Sequence, residues 1–193
     1  GLLTVPGGKN SSLAKENGYV INLDRAEKLE KMTYSSLFSK AGIIVLEDTD
    51  ESLLGKVDKL EVCDNNLYVL EKGRGLFLFN KQGKFIKMIG RKGKGPGEYI
   101  DPDDISIDRE NKKIYVLDSQ TQNVLKYSSN GTFESSFKLE NKGTRSTFIQ
   151  PFKNALYTNL YTFDESGKRF LLSKVDVTNG KRISFQFEAS QYN

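Results

Sequence analysis

The chain has 193 residues, one cysteine and no histidine, with 29 Lys and Arg against 25 Asp and Glu, a net charge of +4. Without histidine there is no imidazole for a His-ligated zinc site, a Ser-His-Asp triad or a Cys-His pair, and the lone thiol of Cys63 can neither staple the fold nor make a two-cysteine metal motif. No apolar run approaches the ~18 residues of a membrane-spanning helix, and the small charge excess alternates in sign along the chain, which argues against a nucleic-acid partner.

Residues 1–19, opening GLLTVPGGKNSS, read as a flexible tether without the charged start and long apolar core of an export signal. Residues 20–55 read as an entry arm. Within it DRAEKLEKMTYSSLFSK (24–40) carries Leu29, Met32 and Leu37 among charges and predicts a short helix and a turn. GIIVLED (42–48) predicts a closing strand that pairs with sheet material further on.

From Lys56 onward the chain repeats. Tyr68-Val69-Leu70-Glu71 recurs 47 residues later as Tyr115-Val116-Leu117-Asp118, and Gly83 recurs 48 later as Gly131. A weaker third copy places Leu156-Tyr157 and Gly180 at the matching points. Each copy divides into four strand-like runs. In the second they are 104–108, 113–118, 123–128 and 132–139, separated by turn-forming RENK, SQTQ and SNG. Gly83, Gly131 and Gly180 suit tight hairpins because glycine accepts positive φ without penalty. Four antiparallel strands repeated every 40-odd residues are the signature of a β-propeller blade. The expected fold is therefore all-β, with blade 1 over 56–100, blade 2 over 101–147 and blade 3 over 148–193. Six blades of ~45 residues need more chain than this, so the three are expected to be part of a larger ring whose open edges favour self-association.

Within those repeats, GKGPGEYIDPDDISIDRENKKIYVLDSQTQNVLKYSSNGTF resembles an NHL-type repeat: G-x-G-P-G-x-Y, then P-x-x-I-x-I-D, then I-Y-V-x-D, a V-x-K-Y strand and an N-G turn. With YSSLFSKAGIIVLEDTDESLLGKVDKLEV upstream, the chain is similar to six-bladed propeller proteins abundant in Bacteroidetes, many of them lipoproteins. That resemblance covers Val20 to Gly131 well and the rest loosely. It implies export to the cell envelope, a lipid anchor upstream, and a non-catalytic protein that recognises a protein, peptide or glycan through inter-blade loops. The alternative it raises is a lyase- or lactonase-like enzyme using a cation in the central channel.

The residues themselves leave chemistry thin. The Gly90–Gly97 loop leads into a strand and lacks a Lys-Ser/Thr pair, so it is neither a phosphate loop nor a dinucleotide loop. Arg91, Lys92 and Lys94 form a basic cluster, but Glu98, Asp101, Asp103 and Asp104 follow at once and offset it. By position, Arg91, Lys92, Lys94, Glu98, Tyr99, Asp101, Asp103 and Asp104 are the candidate ligand-binding residues, Tyr99 also being expected to anchor the loop. Asp118 ends its strand where its carboxylate can accept hydrogen bonds from the next turn, and Glu71 holds the same place one repeat earlier. Recurrence marks both as structural. No cofactor or metal is expected. Phe148, Phe152, Tyr157, Tyr161 and Phe163 are expected to be inter-blade core, a stacking surface being the alternative.

Overall fold

The computed structural model describes residues 42–140, 145–159, 162–164 and 166–188. The chain divides into two units, Gly1–Ile43 and Ile44–Asn193. The tether expected at 1–19, the helix expected at 24–40 and Tyr161 lie outside the described residues. Every described strand belongs to the second unit.

The described residues form strands and turns without a helix. Sheet one contains β1 (Lys59–Cys63), β2 (Asn66–Glu71), β3 (Gly75–Asn80) and β4 (Phe85–Ile89), each antiparallel to the last. Sheet two repeats the order with β5 (Pro102–Asp108), β6 (Lys113–Asp118), β7 (Asn123–Ser128) and β8 (Phe133–Lys138). Sheet three runs β9 (Ile149–Phe152), β10 (Ala155–Thr158), β12 (Arg169–Asp176) and β13 (Arg182–Glu188). Its short β11 (Thr162–Phe163) prolongs β10 along β12.

Side chains alternate across a strand, so a strand covered on both faces must be apolar at every position. β2, β3 and β6 read that way: NLYVLE, GLFLFN and KIYVLD are almost continuously buried. Tyr68, Leu70, Leu76 and Leu78 leave one face of sheet one to pack with Ile105, Ile107, Ile114 and Val116 of sheet two. Tyr115, Leu117, Val124 and Phe137 leave the other face of sheet two to meet Ile149, Leu156 and Val175 of sheet three. The first strands also adjoin in turn, β1 beside β5 and β5 beside β9. Sheets stacked face to face, with first strands together and fourth strands outermost, are successive blades of a β-propeller.

Gly83, Gly131 and Gly180 each sit in the turn between a blade's third and fourth strands, with φ of 86°, 79° and 72°. Two sequence expectations need correcting. GIIVLED forms no strand: apart from the single backbone bond of Glu47 N to Gly83 O it has no ladder among the described residues, and a strand exists only as part of one. Instead Leu46 and Leu54 cover the free face of blade 1, over Leu67, Val69, Phe77 and Phe79. Phe148 and Phe152 are also not core. Phe148 is 38% exposed, and Phe152 stands 57% exposed on the face of blade 3 turned away from blade 2, stacked edge-on against Tyr157.

Candidate functional site

The segment Gly90–Asp101 must carry the chain from the outermost strand of blade 1 to the innermost strand of blade 2, and its side chains fold inward to hold that crossing. Tyr99 is fully buried. Its hydroxyl donates to Ile89 O at 3.0 Å and accepts from Leu76 N at 3.2 Å, bridging β3 and β4 where their ladder opens. Gly75 makes room for it, since a Cβ there would stand 2.5 Å from the phenolic oxygen. Tyr99 thus lies beyond reach of a ligand at the surface.

The glycines of the loop enclose an anion that belongs to the protein. The Glu98 carboxylate accepts from Gly95 N at 2.8 Å and from Arg91 Nε at 2.6 Å, and a Cβ on Gly93 would collide with it. Successive amides that could cradle a phosphate are filled by this side chain. Tyr127 closes the loop by donating to Gly97 O at 3.1 Å, and Gly97 lies so near Phe133 that a Cβ would stand 2.9 Å from it. The hydrogen bond from Gly95 N, then the Arg91 guanidinium, holds the Glu98 carboxyl below its ordinary range. A depressed folded pKa means the clasp is present above the unfolded value and is lost as pH falls through the lower folded one. We expect the Gly95 amide resonance to titrate with a midpoint below the free-glutamate value of 4.5; a midpoint at or above it would contradict the clasp.

Between this loop and the outer strands of blade 2 lies a cleft of ≈ 760 Å³, with Lys94, Pro96 and Gly97 on one wall and Leu125, Phe133, Ser135 and Ser136 on the other. Its lining mixes the Lys94 ammonium, the carboxylates of Glu98 and Asp118, hydroxyls, backbone amides and apolar patches. Lys92 and Lys94 are at the loop's surface, and among the described residues neither has an ion-pair partner within 4.0 Å, whereas Arg91 is tied to Glu98.

The acidic candidates do not gather. Asp103 pairs with Lys72 at 2.8 Å. Asp104 is buried, pairs with Lys59 of β1 at 2.7 Å and accepts from Ile149 N of β9 at 2.8 Å, so one carboxylate fastens the first strands of three blades. Asp101 faces the Ser119 hydroxyl at 3.4 Å, and its carbonyl accepts from Ser119 N. Among the described residues no three His, Cys, Asp or Glu side chains come together as a cation cage.

Asp118 accepts from Gln120 N and Thr121 N in its own turn and from Ile100 N at 2.8 Å in the incoming loop. Glu71 takes Gly55 N at 3.2 Å at the same place in blade 1. In blade 3, Asn159 takes Thr147 N and Phe148 N at 3.0 Å. All three side chains stand at the end of a second strand and hold the segment entering the same blade. The Asn159 member escaped sequence reading because an amide replaces the acid and the third repeat slips in register. Gln122 was missed too. Buried, it accepts from Ser146 N at 2.7 Å and returns a bond to Ser146 O, joining blades 2 and 3; a lone glutamine in a turn gives no signal of that in sequence.

These blades, with loops crossing from rim to axis and no assembled catalytic group among the described residues, define part of a β-propeller. The chain belongs to the family known as domain of unknown function DUF4934, whose model matches residues 18–192. A presumed exported protein of Bacteroides fragilis is similar to it in structure, with 25% identity and a TM-score of 0.64 over 75% of this chain and 41% of that one. U3-55K and the WD40 repeats of RRP9 share the fold at 16% and 14% identity, both with TM-scores of 0.52, over 74% of this chain and 41% and 40% of theirs. The chain spans less than half the length of each of these. No curated protein matches it.

Proposed function

We propose that the chain is part of a non-catalytic binding propeller of the cell envelope that recognises a protein, peptide or glycan through its inter-blade loops. The observation that carries this reading is the cleft beside Lys94–Gly97. It offers an ammonium without an ion-pair partner among the described residues, hydroxyls and a half-buried aromatic edge on a rigid frame, while the two acids of its lining are engaged, Glu98 by Arg91 and the Gly95 amide and Asp118 by the amides of Ile100, Gln120 and Thr121. Recognition sites tend to sit on loops that a stiff scaffold positions, and a cleft with apolar walls and a few polar groups is the usual form of a ligand site. Export is supported by the likeness to the Bacteroides fragilis protein. In this reading the blades are NHL-like and complete to six, with a lipid anchor upstream.

The test is a screen of the chain against immobilised glycans and a random peptide library, followed by titration of the best hit against wild type and Lys94→Glu. We expect Lys94→Glu to weaken binding at least tenfold, about 1.4 kcal/mol, with the urea midpoint unchanged because Lys94 is exposed. No hit at millimolar concentration, or equal binding by the variant, sinks the proposal.

A further inference from the structure

Charge alternation along the chain breaks between Lys72 and Gly97. Eight of the 29 basic residues and none of the 25 acidic ones stand there, so this stretch is +8 and the rest of the chain −4. It covers the β3–β4 hairpin of blade 1 and the first half of the crossing loop. In sequence the acids that follow at once offset these cations, but in the fold most of them are engaged. Arg91 neutralises Glu98, Lys72 takes Asp103, and Asp104 belongs to Lys59. Arg74 lies on Glu71. Lys81, Lys84, Lys87, Lys92 and Lys94 remain, all exposed and none with an ion-pair partner within 4.0 Å among the described residues.

Two of these ammoniums stand at the ends of one continuous groove. The cleft beside Lys94 shares Pro96, Gly97, Glu98 and Phe133 with a second cleft of ≈ 270 Å³ that ends at Gly90, Tyr127 and Gly131. A Cβ on Gly131 would stand 3.1 Å from Lys87 Cε, so the Lys87 stem lies along the turn that closes this far end. Between the ends, Phe133 to Ser136 of β8 alone spans roughly 10 Å at strand rise, a length that suits a linear polymer better than a single small ion, and a concave shape that does not suit a flat bilayer. Lys94 and Lys87 call for negative charge. The middle of the groove calls for hydroxyl groups. The Glu98 carboxylate, its side chain 18% exposed, has about four acceptor sites and accepts from Arg91 Nε and Gly95 N. The Ser135 and Ser136 hydroxyls donate and accept beside it, and Phe133 adds an apolar edge. Nucleic acid would press closely spaced phosphates on Glu98, and the carboxylates of an acidic peptide only accept. An acidic sugar carries a carboxylate and hydroxyl donors on one ring.

We infer that the groove takes an anionic polysaccharide, a chain of uronate-type sugars whose carboxylates pair with Lys94 and Lys87 and whose hydroxyls bond to Glu98, Ser135 and Ser136. Lys81, Lys84 and Lys92 extend the field that draws such a chain in. This rests on the reading of the Lys94 cleft as a binding site and adds the class of ligand and a second point of attachment.

The test is calorimetric titration of the chain with polygalacturonate, its fully methyl-esterified form, polyglutamate and duplex DNA. We expect polygalacturonate to bind at least ~10-fold tighter than the other three, and to weaken as salt is raised to about 0.5 M and the screening length shrinks. Lys87→Gln and Lys94→Gln should each weaken it about threefold, while Lys181→Gln, an exposed lysine of blade 3, should not, and all three should unfold at the wild-type urea midpoint. Equal binding of polygalacturonate and its ester overturns the inference, as does wild-type binding by Lys87→Gln. Tighter binding of polyglutamate or DNA overturns it too, and names a peptide or a nucleic acid as the occupant. If polygalacturonate fails while a neutral glycan or a peptide binds in a Lys94-dependent manner, this inference falls and the broader reading stands; if nothing binds, both fall.

Discussion

Replacing Tyr99 with alanine should lower the unfolding free energy by about 4 kcal/mol, the usual range for removing a fully buried aromatic ring from a packed core. The ring lies between blades 1 and 2 in one buried cluster with Leu76, Ile89 and Tyr127. Tyr99→Phe separates the ring from its hydroxyl. It keeps the packing but leaves Ile89 O and Leu76 N without their bridge, two buried backbone groups whose loss should cost about 2 kcal/mol. Urea unfolding with an unchanged m-value checks both numbers. A Tyr99→Ala cost below about 1 kcal/mol would mean that the crossing loop is held by Glu98 and Tyr127 alone.

The contrast between Tyr99 and Lys94 measures how far sequence reading reached. Both stand in one loop, and both were candidates by position. The repeat gave the loop its place between an outer and an inner strand, because a period of four strand-like runs survives slips of a residue or two. Within the loop only the anchoring tyrosine was legible, since GKGPGEY has no periodicity that would tell how its other side chains are placed. The acids were opaque for another reason. Asp103 and Asp104 are adjacent in sequence, yet a bulge in β5 sets them apart, one reaching Lys72 and the other Lys59 and Ile149, partners 31 to 45 residues away. A cluster in sequence becomes two separate ion pairs once the strand forms. Asp118 was legible because its role recurs, and recurrence at a fixed repeat position is a signal that one chain can supply by itself. GIIVLED misled because its composition is that of a strand, while a strand needs a ladder that composition does not report.

Asp104 offers the sharpest separation of a structural role from a binding one. Its carboxylate is fastened from two sides, by the Lys59 ammonium at 2.7 Å and by Ile149 N at 2.8 Å, so that β1, β5 and β9 are tied where the blades converge. Asp104→Ala leaves a backbone donor buried without an acceptor and a half-buried ammonium without its counter-ion, and should cost about 3 kcal/mol. Asp104→Asn keeps an acceptor for Ile149 N but not the charge for Lys59, and should cost less, about 1–2 kcal/mol. Because the Asp104 side chain is only 9% exposed, raising salt to about 1 M should erode little of the wild type's margin over the variants, whereas a surface pair would be screened. If Asp104 served a ligand instead, both variants would unfold at the wild-type urea midpoint and lose binding alone. The structural role requires the reverse: both variants unfold at a lower urea midpoint than the wild type.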